Sequence, residues 1–171
     1  IDRDVDAPLK RTARRPLAAG RLTPADGLAF GIGLCLTAFY ILAVLVNLLA
    51  ALLSVAGMFY YVWLYSLVLK KSTVQNIVIG GASGAMPPVL GWAAVTGEIA
   101  PDALLLFLII FAWTPPHFWA LAIHRRHDYA KADIPMLPVT HGPEFTRLNV
   151  LLYTVLRVAV SAMPFMIRMS G

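Results

Sequence analysis

The chain has 171 residues, 59% of them hydrophobic and 13% charged, with a formal net charge of +5. Soluble domains carry about 25% charged residues, so this composition, with a mean hydropathy of +0.73, excludes an ordinary soluble domain and predicts an integral membrane protein. The basic residues gather in particular loops, which argues against nucleic acid as a partner and for anionic headgroups or a phosphorylated substrate.

The first sixteen residues, IDRDVDAPLKRTARRP, hold Asp2, Asp4 and Asp6 together with Arg3, Lys10, Arg11, Arg14 and Arg15. On a helix Asp2 and Asp6 share one face, while Asp4 points elsewhere. Two carboxylates on one face repel unless a cation sits between them, and Mg²⁺ bridging them to a phosphate-rich substrate is the natural candidate. A solvated juxtamembrane loop that fixes topology would explain the basic residues, but acidic residues carry little topological signal. The segment has no apolar stretch of the kind a signal peptide needs. A start inside a charged cluster and a stop at Arg168-Met169-Ser170-Gly171 are expected of part of a longer chain.

An apolar stretch of about 20 residues is needed to cross a bilayer as a helix, and five are expected here. The first runs from Gly27 to Val46 and contains the lone Cys35, a packed or lipid-facing thiol. A tight turn at Asn47 leads into the second, Leu48 to Leu69. The third, Val74 to Val95, contains Gly80-Gly81-Ala82-Ser83-Gly84-Ala85-Met86-Pro87-Pro88. Its small residues permit close helix packing, and its prolines kink the helix, which also suits the wall of a deep cavity. The fourth, Ala103 to Ile123, carries Trp113-Thr114-Pro115-Pro116-His117-Phe118-Trp119. His117 there either bonds a carbonyl freed by the prolines or serves as a proton carrier or metal or haem ligand. The fifth runs from Leu148 to Ile167, with Arg157 expected to face the bundle interior because a charge is costly in lipid.

With five alternating spans, the residues Arg3 to Arg21, the pair Lys70-Lys71, and Arg125, Arg126 and Lys131 fall on one side. The opposite loops, at Asn47 and from Gly97 to Asp102, hold no Lys or Arg. By the positive-inside rule the charged side is cytoplasmic, and Arg168 at the far interface snorkels. On the charged side, His124 and Asp128 repeat the four-residue spacing of Asp2 and Asp6, and Arg125 and Arg126 suit bidentate binding of phosphate. Tyr65 could steady a diphosphate or cation, and Lys70 and Lys71 could neutralise charge. A site for Mg²⁺ and diphosphate at the mouth of an apolar cavity accounts for all these clusters together. HExxH, CxxC, Walker and GxSxG patterns are missing, which argues against metalloprotease, nucleotide hydrolase and serine hydrolase.

In five segments the chain resembles the intramembrane aromatic prenyltransferase (UbiA-type) superfamily. They are DRDVDAPLKRTARRPL (Asp2 to Leu17), YSLVLKKSTVQN (Tyr65 to Asn76), GGASGAMPPVLGWAAVTG (Gly80 to Gly97), WTPPHFWALAI (Trp113 to Ile123) and DYAKADIPMLPVTHG (Asp128 to Gly142). The PPHFWAL and IPMLPV stretches point to the haem-modifying branch. The resemblance implies an all-α, polytopic transmembrane bundle of nine helices, of which this chain covers five in one membrane domain: a motif loop over residues 1–26, then the spans over 27–171. It implies transfer of a farnesyl group from farnesyl diphosphate to a vinyl group of haem B, giving haem O and diphosphate. Mg²⁺ would be held by Asp2, Asp6 and Asp128. Arg11, Arg15, Tyr65, Lys70, Lys71, Arg125 and Arg126 would bind the diphosphate substrate, and His117 would contact haem.

Three features depart from the superfamily pattern. The leading Asn of the first motif would precede Ile1, His124 replaces the first aspartate of the second motif, and the Tyr65-to-Lys70 spacing is one residue longer. The resemblance further implies a bacterial inner membrane, or a mitochondrial one in a eukaryote, with the active site on the cytoplasmic face. Haem A synthase or terminal-oxidase assembly would be its protein partners. Competing readings are a prenyltransferase acting on a quinone-precursor ring, a transporter, which would spread ionisable residues through the membrane depth, and an assembly factor without catalysis.

Overall fold

In a computed structural model, which describes residues 12–131 and 134–169, the chain is all-helical apart from turns and connections. Helix α1 (Pro24–Leu45) begins in a capping box. Thr23 Oγ1 accepts from the Asp26 amide at 3.2 Å, and the Asp26 carboxylate accepts from the Thr23 amide at 3.1 Å. With Pro24 in the first helical position, this cap starts the helix three residues before the apolar run does. After the turn at Asn47 comes α2 (Leu48–Phe59), which passes into a π-helical stretch, Tyr60–Leu69, and a last turn, Lys70–Ser72.

The third span is broken into α3 (Asn76–Ala85) and α4 (Pro87–Thr96) at Met86. Pro87 and Pro88 lack the amide donors that would continue the ladder, so a new helix starts there. Gly97 ends α4 with φ at 76°, a left-handed cap that glycine adopts without strain. Helix α5 (Pro101–His124) runs through Pro115 and Pro116 and is followed by two short helices, α6 (Arg126–Lys131) and α7 (Leu137–Thr140). The final helix, α8 (Gly142–Met166), starts six residues before the expected Leu148. Hydropathy alone leaves out its polar first turns, which hold an exposed Glu144–Arg147 pair and the buried Thr146.

Five helices, Pro24–Leu45, Leu48–Leu69, Asn76–Thr96, Pro101–His124 and Gly142–Met166, are long and apolar enough to cross a membrane. Large apolar side chains such as Phe30, Leu36, Leu151 and Phe165 are exposed along them, as suits a lipid solvent. The chain is an integral membrane protein. Each span packs on its neighbour: α1 on α2, α2 on α4, the π-helical stretch on α3, both α3 and α4 on α5, and α5 on α8. Gly81 brings α3 close to α5, since a Cβ there would lie 3.0 Å from Thr114 Cγ2. Cys35 is a half-buried free thiol in a groove of about 300 Å³ between α1 and α2, lined also by Gly31, Phe39, Ser54 and Met58.

A compact apolar core forms where α3 begins, α5 ends and α8 begins. Ile77, Trp119, Ile134, Met136 and Leu137 are buried there, with Val74, Val78, Tyr129, Val150 and Tyr153 packed against them. Trp119 meets Tyr153 edge-on, with centroids 5.4 Å apart. Arg157 departs from expectation: it is exposed. Thr146, near the start of α8, is the buried residue of that helix, and residues 154–159 beyond Tyr153 are all exposed. Arg157 therefore lies on a part of α8 that the described helices leave uncovered.

Candidate functional site

Two sets of contacts fix which ends of the spans lie together. At one end, Asn47 Nδ2 donates to Ala93 O at 2.8 Å and Ala94 O at 3.2 Å, tying the α1–α2 turn to the last turn of α4. At the other end sits the core around Trp119. The chain therefore brings the segment before α1, the end of the second span, the start of α3, the end of α5 and the start of α8 to one end of the bundle. Arg14, Arg15, Arg21, Lys70, His124, Arg125, Arg126, Asp128 and Lys131 all lie on segments at this end. Glu98 and Asp102 lie at the other.

The second acidic segment is anchored by its apolar half. Ile134, Met136 and Leu137 are buried in the core, and Ile134 donates its amide to Tyr129 O at 3.1 Å. This holds the preceding polar half in place. The amides of Asp128 and Tyr129 both donate to Arg125 O, at 3.1 and 3.2 Å, so α6 turns directly off the end of α5. His124, Arg126 and Asp128 are exposed and Arg125 is half-buried. A carboxylate two and three residues from two arginines on one short segment suits a divalent cation with its anionic ligand. Carboxylate oxygen is the donor that Mg²⁺ prefers, whereas the imidazole of His124 suits other metals.

Tyr65 stands in the π-helical stretch, where its ring lies against Gly80 of α3 and 5.4 Å from the ring of Tyr61. Lys70 follows in the last turn, and its carbonyl accepts from Asn76 Nδ2 at 3.2 Å. Lys71 is next in the chain. Before α1, Arg15 donates its amide to Thr12 O at 3.0 Å, and Arg21 Nη2 donates to Arg14 O at 2.9 Å. Asp2, Asp6 and Arg11 lie outside the described residues. Among the described residues, no three His, Cys, Asp or Glu side chains gather as a metal site.

His117 is exposed on α5, one turn beyond Trp113, whose ring stacks on it at 4.3 Å and 19°. Phe118 meets it edge-on at 5.6 Å. Among the described residues the imidazole has aromatic neighbours and no hydrogen bond, so a bond to a proline-freed carbonyl, one of the roles open to it, is not what holds it. The opposite face of the helix, with Ala112, Pro115, Pro116, Trp119 and Ala122, is buried. His117 and Trp113 therefore form an aromatic, ionisable surface deep in a span.

Sequence reasoning missed Asn76 and Gly80. The Gly80-Gly81 pair was a visible signal, but it pointed to helix packing in general rather than to the ring of Tyr65. Asn76 lay two residues beyond the expected helix start at Val74 and gave no signal by itself.

A family model described as the UbiA prenyltransferase family matches residues 1–171. The chain is 60% identical over 171 residues to the protoheme IX farnesyltransferase of Aromatoleum aromaticum, covering 100% of this chain and 56% of that protein. It is 56% identical over the same length to protoheme IX farnesyltransferase 1 of Pseudomonas putida, covering 100% of this chain and 58% of the relative. The protoheme IX farnesyltransferase 1 of Pseudomonas aeruginosa is also 56% identical, with 100% and 56% covered. The chain thus spans a little over half the length of these relatives. No solved structure matches it.

Proposed function

The chain belongs to the UbiA prenyltransferase family, and from that premise we propose that it takes part in transferring a farnesyl group from farnesyl diphosphate to a vinyl group of haem B, yielding haem O and diphosphate. The observation that carries this reading is identity of 56 to 60%, sustained over all 171 residues, with relatives named for that transfer. The end of the bundle that gathers the basic residues is the diphosphate end, and it faces the cytoplasm.

Arg125 and Arg126 grip diphosphate oxygens through paired N–H groups, while Arg11, Arg15, Lys70 and Lys71 add positive charge. The Tyr65 hydroxyl donates to the same anion. Asp2, Asp6 and Asp128 would hold Mg²⁺, which would supply charge neutralisation for the diphosphate. The C1–O bond of the substrate breaks heterolytically, and these cations stabilise the negative charge that develops on the departing oxygen. The haem vinyl group attacks the allylic cation, forming the new C–C bond and leaving a cation on the former vinyl group; water adds there and gives its proton to the released diphosphate. Apolar walls keep other water from the cation. His117, beside Trp113, contacts haem through its iron or a propionate. The product then passes to haem A synthase or to terminal-oxidase assembly.

The deciding experiment gives membranes containing the intact protein farnesyl diphosphate with either haem B or 4-hydroxybenzoate. Haem O is the expected product; prenylated 4-hydroxybenzoate without haem O overturns the proposal. In the same assay Asp6→Ala abolishes transfer, and near-normal haem O from that variant removes the metal assignment.

A further inference from the structure

Helix α3 presents Asn76, Ile79 and Gly80 on one face, three and four residues apart. Each meets the second half of the second span, or the turn that follows it, at a different point. The Asn76 side chain is 1% exposed, and its Nδ2 donates to Lys70 O at 3.2 Å. The carbonyl of Ile79 accepts from the Tyr60 hydroxyl at 2.7 Å. At Gly80 the backbone itself is the contact surface: a Cβ there would lie 2.2 Å from Tyr65 Cδ2 and 2.6 Å from Cε2. No real Cβ tolerates such distances, so any side chain at position 80 displaces the Tyr65 ring.

The stretch being held is π-helical over Tyr60–Leu69. A π-helix is rare and seldom stable by its own local bonding. Its wider turn changes which way Tyr65 points relative to a regular helix, so something outside the stretch must select that register. The contacts from α3 do so at its first residue, Tyr60, within it at Tyr65 and just after it at Lys70. Tyr61, whose ring is 5.4 Å from that of Tyr65, backs it from the same stretch.

We infer that Asn76, Ile79 and Gly80 form a positioning cradle that fixes Tyr65 and Lys70 at the diphosphate end of the bundle, with Gly80 the residue that sets the tyrosine ring. The inference rests on the proposed placement of Tyr65 and Lys70 at the diphosphate. None of the three touches substrate; each acts through its neighbour on the second span.

The test is a double-mutant cycle in the intact protein in membranes, read as KM for farnesyl diphosphate and kcat separately. Gly80→Ala raises that KM roughly ten-fold, as Tyr65→Ala does, with a smaller change in kcat. Added to Tyr65→Ala, Gly80→Ala changes KM less than about two-fold, because no ring remains to displace. Asn76→Asp keeps the shape and removes the donor to Lys70 O, and it raises the same KM. If Gly80→Ala fails to accumulate, recovery of the protein in the double variant supports the cradle, and its continued absence overturns it. An unaltered KM in Gly80→Ala, or an equal further loss in the Tyr65→Ala background, overturns the inference while leaving the function intact. A Tyr65→Ala enzyme with unchanged KM removes Tyr65 from the site and overturns both.

Discussion

Asn47 does more than turn the chain. Its Oδ1 accepts from the Ala50 amide at 2.8 Å and caps α2, while its Nδ2 donates to both Ala93 O and Ala94 O. One side chain thus caps one helix and supplies donors to carbonyls at the end of another. Asn47→Ala lowers stability by about 2 kcal/mol in denaturant titrations in detergent. Asn47→Asp keeps the cap but loses both donations, and falls between. Neither changes KM for farnesyl diphosphate, since Asn47 lies at the end remote from Lys70 and Arg125. His117 gives the converse prediction. His117→Ala alters the absorption spectrum of bound haem and lowers haem O formation, with KM for the diphosphate unchanged; unchanged spectra and turnover would leave His117 a packing residue. That His117 lies within a span, with Arg125 and Asp128 just past its end, was legible from hydropathy and residue order. The reach of Asn47 to a helix 46 residues away was not, because a tertiary partner leaves no local pattern.

At the scale of elements, hydropathy located all five spans, since lipid imposes a length and an apolar composition on each. It misplaced the start of α8 because polar first turns are invisible to it. It also passed over the π-helical stretch, whose sequence YYVWLYSLVL is apolar like the regular helices around it; register there is set by α3, not by composition. The small-residue run was legible as a packing surface, and Gly81 makes it testable. Gly81→Ala places a methyl 3.0 Å from Thr114 Cγ2 and costs about 1–3 kcal/mol by overpacking α3 against α5. Thr114→Ser removes that methyl group, keeps a hydroxyl able to bond Ile110 O as Thr114 now does at 2.9 Å, and recovers part of the loss. Recovery is read as a rise in the detergent unfolding midpoint of the double variant over Gly81→Ala alone.

Across the whole molecule, charge asymmetry predicts orientation and the fold supplies positions at which to check it. With Cys35 replaced by Ala, a cysteine at Glu98 reacts with a membrane-impermeant maleimide in intact cells. One at Arg126 reacts only once the membrane is opened; the reverse pattern inverts the bundle and moves the charged end outside. The grouping of basic loops at one end was legible from span count alone, but the way Ile134, Met136 and Leu137 pin the acidic loop required the packed structure. That core also has a mechanical meaning. It joins α3, α5, α7 and α8 in one knot at the charged end, whereas none of the residues of α1 is buried. Stiffness is therefore unequal across the bundle: α1 is the span that loosens first, while α2, α4 and α5 are held at the far end too by buried Ala50, Ala51, Ala93 and Ala103.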